Sequence, residues 1–247
     1  MKLSAIVITK NEEDEIGECL GLLGFVDEIV IVDDNSIDNT RQIARGMGAR
    51  TFKRSLDDDY SAQRNFGLTK AKGEWVLFVD ADERVEKTLA DEILKAINTL
   101  KVDGFELKRR DTLWGREIKH GESRNTWLVR LGRRGSGSWR RSVHEVWEIE
   151  GEIGKLDNLL YHHPHKSLSE FMSSINYYSG LHARENQKEG KRSDILKIIF
   201  YPAFKFIDSE VLKLGMLDGM QGHMIAFMMS FHSFLSWSKL WIYQRKD

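Results

Sequence analysis

The sequence predicts a doubly wound α/β fold, and three observations carry that prediction. Short β-branched runs alternate with helix-like stretches through the first hundred residues, several of the runs end in Thr or Asp, and the run at 74–80 is apolar almost without a break. A nearly continuous apolar strand belongs in the middle of a parallel sheet covered on both faces. The first two strands are LSAIVIT at Leu3–Thr9 and EIVIVD at Glu28–Asp33, and the segment between them puts Ile16, Leu20 and Leu23 on one helical face. That is a βαβ unit. A helix at 40–47, a strand at 49–53, a helix at 61–71 and the strand at 74–80 repeat the pattern, and a helix at 89–100 follows. Residues 104–161 mix short apolar stretches with Gly, Arg and Trp, which predicts a smaller mixed or antiparallel region carried on the same sheet.

From Ser167 the texture is helical. Ser167 with Glu170 three residues later reads as a helix cap. The apolar run ILKIIFYPAFKFI at Ile195–Ile207 contains Pro202, where a kink or an end is expected. Residues 219–238 hold no Lys, Arg, Asp or Glu, a length that would permit a membrane span, but Gln221, His223, His232 and four serines make it a poor one. Two readings stay open: a helix lying in a membrane interface, with Lys239, Arg245 and Lys246 behind it, or a buried helix packed on the α/β domain. The expected division is a catalytic domain at 1–165 and a C-terminal helical region at 166–247.

With 247 residues, 41% of them hydrophobic, the chain can bury one substantial core or a core with a small appendage. A formal net charge of −1 removes the general signature of a nucleic-acid-binding protein, and no RNA-binding module is recognisable, so no nucleic-acid partner is expected. A single cysteine, Cys19, excludes an intrachain disulfide framework and a thiol-based zinc site, and points to a reducing compartment. The apolar run at the N-terminus is too short for a signal peptide, so a cytoplasmic location is expected. Charge is uneven: residues 1–60 hold 7 basic and 13 acidic side chains, residues 101–145 hold 12 basic and 6 acidic. An acidic part that holds a divalent cation beside a basic part that meets phosphate is one reading; two solvated faces is the other.

Ligands of doubly wound sheets bind outside the carboxyl ends of the strands, which directs attention to Thr9, Asp33 and Asp80. In FVDADERV at 78–85, Asp80 and Asp82 follow a buried strand and offer hard oxygen ligands to Mg²⁺ or Mn²⁺. The plainer alternative is that Asp80 caps the next turn and Asp82 is solvated. Asp33 and Asp34 end another strand, and four carboxylates at one sheet edge repel one another unless a cation or a ligand's hydrogen-bond donors offset the charge. A nucleotide diphosphate with its metal supplies both. The four tryptophans at 114, 127, 139 and 147 fit core packing better than sugar stacking, and His163 and His165 read as surface histidines beside a proline turn.

TKNEE at 9–13, VDDNSIDNT at 32–40, SAQRNFGL at 61–68 and GEWVLFVDADERV at 73–85 resemble, in order and spacing, the family-2 inverting glycosyltransferases of the glycosyltransferase A fold. The resemblance covers roughly the first 165 residues. It continues through LWGREIKHG at 113–121, SVHEVW at 142–147 and LYHHPHKSLSEF at 160–171, where it is closest to small bacterial enzymes that add β-linked glucose to the lipopolysaccharide inner core. What the resemblance implies is a Rossmann-like, mostly parallel sheet with helices on both faces, and a nucleotide pocket bordered by Thr9, Asn11, Glu12 and Asp33. It also implies that Asp34 accepts a hydrogen bond from uracil, and that Arg64 approaches the base or the diphosphate. Asp80 would lie near ribose and metal, Asp82 would ligate Mg²⁺ or Mn²⁺, and His162 would be a third ligand or a phosphate hydrogen-bond donor. The family's usual Glu-Asp pair is replaced by His144-Glu145, which makes Glu145 the implied general base with His144 beside it. The implied donor is UDP-glucose, and the implied acceptor a lipopolysaccharide-core or lipid-linked saccharide, with the basic residues between Arg109 and Arg141 meeting its phosphate or acidic lipid head groups. Three alternatives remain at this point. They are transfer to a polyprenyl phosphate, a noncatalytic sugar-nucleotide-binding module with no need of Glu145, and a nucleotidyltransferase, which would want a Gly-rich basic loop where TKNEEDE is acidic.

Overall fold

The computed structural model describes residues 1–99, 101–122, 124, 126–142 and 145–245. The chain divides into two compact units, residues 1–109 with 126–162, and residues 110–125 with 163–247. The second unit therefore takes in 110–125 as well as the C-terminal helices.

In the first unit β1 (Leu3–Thr9), β2 (Glu28–Asp33), β3 (Arg50–Lys53) and β4 (Trp75–Asp80) are parallel and lie in the order β3-β2-β1-β4. The chain winds outward from β1 to β3 and then returns to the other side of β1, so the switch point falls between β1 and β4. The intervening helices are α1 (Ile16–Gly21), α2 (Thr40–Gly46) and α3 (Tyr60–Lys70), and α4 (Lys87–Thr99) follows β4. Beyond β4 the sheet changes character. β8 (Thr126–Arg133) pairs antiparallel with β4, β6 (Gly104–Leu113) pairs antiparallel with β8, and β11 (Ile153–His162) and β5 (Glu83–Arg84) complete the edge. With β7 (Arg116–Glu117) on the end of β6, nine strands of the described residues form this sheet. β9 (Gly137–Arg140) and β10 (Val146–Ile149) make a separate two-stranded ribbon.

Alternation along the strands feeds two cores. Leu3, Ala5 and Val7 of β1 join Ile16, Leu20, Leu89 and Ile93 on one face, while Ile6 joins Val30, Phe78, Trp139 and Trp147 on the other. The second face needs a close approach by α3: a Cβ on Gly67 would stand 2.7 Å from the Ile6 methyl, so only glycine fits there. Asp59 starts that helix by accepting the Ala62 N–H at 2.9 Å. Trp139 and Trp147 stack at 5.6 Å and meet Phe78 edge-on, which fixes the ribbon over the end of β4.

The second unit holds α5 (Leu168–Lys188), α6 (Ile195–Ile207) and α7 (Gly219–Tyr243). Ser167 caps α5 as expected, accepting the Glu170 N–H at 3.1 Å while the Glu170 carboxylate accepts from Lys166 N–H at 2.7 Å. Pro202 does not end α6. The helix runs five residues further and loosens into a π turn at Asp208–Leu212, and a 3₁₀ turn at Gly215–Asp218 leads to α7. The charge-free stretch at 219–238 lies within α7, which packs against α5 and α6 and buries Ala226, Met228 and Leu240. No helix of the described residues is long and apolar enough to cross a membrane.

Candidate active site

The carboxyl ends of β2, β1 and β4 place Asp33, Thr9 and Asp80 side by side, because Thr9 stands opposite Asp33 and Ile8 opposite Asp80 in register. Asp33 is fully buried, accepts the Ser36 N–H at 3.0 Å and lies 3.4 Å from the Thr9 hydroxyl. Asp34 accepts the Leu56 N–H at 3.0 Å and pairs with Lys10 at 2.7 Å. Asn11 adopts φ 55°, a left-handed conformation that Asn tolerates, and so turns its N–H to Ser36 Oγ and its carbonyl Oδ1 to the Ile37 N–H, each at 2.9 Å. The Glu12 N–H donates to Thr40 Oγ1 at 2.7 Å. These bonds fix two loops against each other at the strand ends, with the backbone held by side chains rather than by a ladder.

The acidic turn after β4 is pinned in the same way. Arg84, buried, donates to the carbonyls of Ala81 and Glu83 at 3.0 and 3.1 Å. Glu83 returns its carboxylate to the Asp80 N–H at 2.9 Å. Because β5 pairs with β11 so that Glu83 faces His162, the imidazole reaches Asp82, with Nε2 3.2 Å from Oδ2. Burial works to raise the Asp82 pKa, but the charge and hydrogen bond of His162 outweigh it and hold the carboxyl below the ordinary value.

Asp80 sits between two arginines. Arg130 of β8 reaches it at 2.6 Å and Arg64 of α3 at 3.0 Å, and although burial opposes ionisation these guanidiniums hold its carboxyl well below the usual range. Glu83, completely buried and close to the Asp80 charge, is pushed the other way. Arg64 also donates from Nε to Glu145 at 2.9 Å, and its guanidinium lies 4.7 Å over the Trp139 ring. One cation thus joins the residue before β10 to the end of β4. Three buried N–H donors in this group, Arg64 Nη1 and Arg130 Nε and Nη1, have no hydrogen-bond partner among the described residues. Buried donors of this kind are costly unless an acceptor meets them, and an anionic group is an acceptor suited to a guanidinium.

The predicted residues fall into two sets: Thr9, Asn11, Glu12, Asp33 and Asp34 at the loop side, and Arg64, Asp80, Asp82, Glu145 and His162 around the arginines. His144 lies outside the described residues. Among the described residues no three His, Cys, Asp or Glu side chains gather into a cation cage, and the Asp80 oxygens are engaged by guanidiniums. Asp82 and His162 are the pair whose chemistry fits a divalent ion, provided that phosphate and water complete its shell. Sequence reasoning missed Arg130, Glu83 and Arg84. The last two stand inside the DADER motif itself, whereas Arg130 was one of ten basic residues in its region and nothing in sequence singles it out.

Residues 4–149 match the family described as Glycosyl transferase family 2. Over its near-full length, 99% of this chain and 93% of the relative, the chain is 32% identical to the lipopolysaccharide core biosynthesis glycosyltransferase LpsC of Rhizobium meliloti. A shorter stretch, 37% of this chain and 18% of the relative, is 41% identical to the poly(ribitol-phosphate) beta-N-acetylglucosaminyltransferase TarS of Staphylococcus aureus. The crystal structure of S. aureus TarS 1-349 in complex with UDP-GlcNAc superimposes with a TM-score of 0.53 at 18% identity, covering 100% of this chain and 93% of that one, and so shares the fold. Strand ends that close around a buried acidic turn, the family match over more than half the chain and a near-full-length relative agree: the chain is a member of glycosyl transferase family 2 with the glycosyltransferase A fold.

Proposed function

We propose that the enzyme transfers a hexose with inversion from a UDP-sugar, with glucose as the sugar, to a hydroxyl of a lipopolysaccharide-core or lipid-linked saccharide, at the cytoplasmic face of a bacterial membrane. The observation that carries the reading is the Glu145–Arg64–Asp80 chain, in which a carboxylate and the acidic turn of the strand end share one guanidinium. Similarity to LpsC supports the choice of acceptor.

In this reading the loops bearing Asn11, Asp33 and Asp34 hold the nucleoside, and the unpaired donors of Arg64 and Arg130 face the diphosphate. Arg64 then exchanges its bond to Glu145 for one to the donor, which frees Glu145 to accept a proton. Glu145 takes that proton from the acceptor hydroxyl, the oxygen forms a bond to the anomeric carbon, and the bond to the diphosphate breaks with its electron pair leaving on UDP. Attack opposite the leaving group turns an α-linked donor into a β-glycoside. Asp82 and His162 would hold Mn²⁺ or Mg²⁺, and the imidazole favours Mn²⁺. The cation supplies charge neutralisation for the leaving diphosphate.

The test is a transfer assay with a panel of UDP-sugars and an isolated core-oligosaccharide acceptor. Asp82→Ala and Glu145→Gln should each abolish transfer while the protein stays folded, as a cooperative melting transition shows; loss of the base alone is worth about 10²–10⁴-fold. Undiminished turnover in either variant overturns the mechanism, and a sugar other than glucose as the best donor overturns that part alone.

A further inference from the structure

We infer that α6 and the turns after it form a membrane-docking face that lies in the head-group region of an anionic bilayer. The charge-free α7 is the stretch that sequence alone offers for such a role, but it is partly buried between its neighbours. α6 is different. Thirteen of the 26 residues from 195 to 220 are large apolar side chains more than a third exposed, and of α6 only Pro202 is buried. A contiguous exposed apolar patch of this extent marks an interaction surface.

Three features commit the surface to lipid. At about 100° per residue the exposed side chains from Ile195 to Ile207 sweep roughly two thirds of the helix circumference, far wider than the stripe a protein groove accepts. Apolar exposure also continues through the irregular backbone at Val211, Leu212, Met216 and Leu217, an outline that a fluid bilayer accommodates without shape matching. Thirteen residues of helix extend only about 20 Å, short of a hydrocarbon core of about 30 Å, so the helix lies in the interface plane. The polar edge carries a small positive surplus: between 191 and 213 there are five Lys or Arg against three carboxylates, one of which, Glu210, is buried against His223, although Lys191, Lys197, Lys205 and Lys213 pair with Glu189, Asp194, Glu122 and Asp208. Tyr201 packs edge-on against Trp237 at 5.1 Å, with Lys197 over the same indole, a grouping of aromatic and cation suited to the head-group level. The inference does not rest on the catalytic reading, since it uses only residues of the second unit.

Flotation of the full chain with vesicles tests it. The chain should float with phosphatidylcholine vesicles containing one third phosphatidylglycerol and much less with phosphatidylcholine alone. The triple variant Ile199→Ser, Phe200→Ser, Phe204→Ser should lose binding at least tenfold at an unchanged melting temperature. Failure of the wild-type chain to float, equal flotation of the variant, or equal binding to both lipids overturns the proposal. So does a wild-type dimer that the serine variant dissolves without any flotation, which would assign the face to a second copy of the chain. A second measurement leaves the face nearly intact. Cys19 is buried and its thiol pushed far up by that burial, so a Phe200→Cys chain takes a polarity-sensitive dye at one place. Its emission should shift to the blue on adding anionic vesicles, and the same dye on Ile37→Cys, an exposed site in the first unit, should not respond. No shift at 200, or an equal shift at 37, overturns the assignment.

Discussion

At the scale of single residues, the arginines decide how an acidic strand end can be stable before any donor arrives. Asp80 and Glu83 stand together with Glu83 wholly buried, and Arg130 touches both, at 2.6 and 3.2 Å. Burial works against the guanidinium's charge, yet the two carboxylates push its pKa up, so it stays a cation. Removing one partner of such a group costs about 3–5 kcal/mol, because the remaining charges stay buried without compensation. Arg130→Met is therefore expected to lower the urea midpoint strongly, and adding Glu83→Gln to it should restore part of the loss. Equal or additive losses in a double-mutant cycle would show that the two side chains do not act as a pair. The carboxylates were legible in sequence because they follow apolar strands. Their cation was not. Arg130 comes from a strand 50 residues further on, and only the antiparallel pairing of β8 with β4 brings it back to Asp80.

At the scale of elements, the parallel half of the sheet was readable, since strands covered on both faces must be apolar along their length, as β4 is up to its terminal Asp80. The antiparallel half was blurred for the same reason in reverse. In GFELKRRDTL of β6 apolar and charged residues share a strand, and β5 is only two residues long. Side chains rather than pattern hold these strands in place. Glu92 of α4 is one of them, accepting the N–H groups of Asp157 and Asn158 at 2.8 and 2.9 Å and so tying the helix to β11. Burial raises its pKa, but these donors outweigh burial and leave it lowered. The sign follows: a carboxyl depressed in the folded state stabilises above its unfolded pKa of about 4.3 and loses that contribution as the pH falls through the folded value. Glu92→Gln should cost about 1.5 kcal/mol at pH 7, the lower end of the range for hydrogen bonds to a charged group because Gln keeps one acceptor oxygen, and the gap to wild type should close on acidification below that unfolded pKa. Melting curves of both proteins from pH 7 to pH 3 check this, and a gap that widens toward acid contradicts it.

At the scale of the whole molecule, the fold concentrates negative charge at its switch point and leaves the compensation incomplete. Asp80, Asp82, Glu83 and Glu145 meet Arg64, Arg130, Arg109 and His162, and Arg64 and Arg130 retain unpaired donors. On the proposed reading such a site would bind an anion and a cation better together than either alone, with the anion satisfying the guanidiniums and the cation satisfying Asp82. Thermal melting can separate the two contributions. A ligand that binds only the folded state adds about 2.7 kcal/mol at a hundred times its Kd, which is ample for detection. UDP with Mn²⁺ should raise the melting temperature by more than the sum of UDP alone and Mn²⁺ alone, and chelation should remove the excess. In Asp82→Ala the response to UDP alone should persist while the excess disappears, and uridine, which brings no phosphate, should show no Mn²⁺ dependence even with the wild-type chain. An excess that survives in Asp82→Ala would place the cation elsewhere on the fold, and an excess with uridine would mean that the ion acts without the diphosphate.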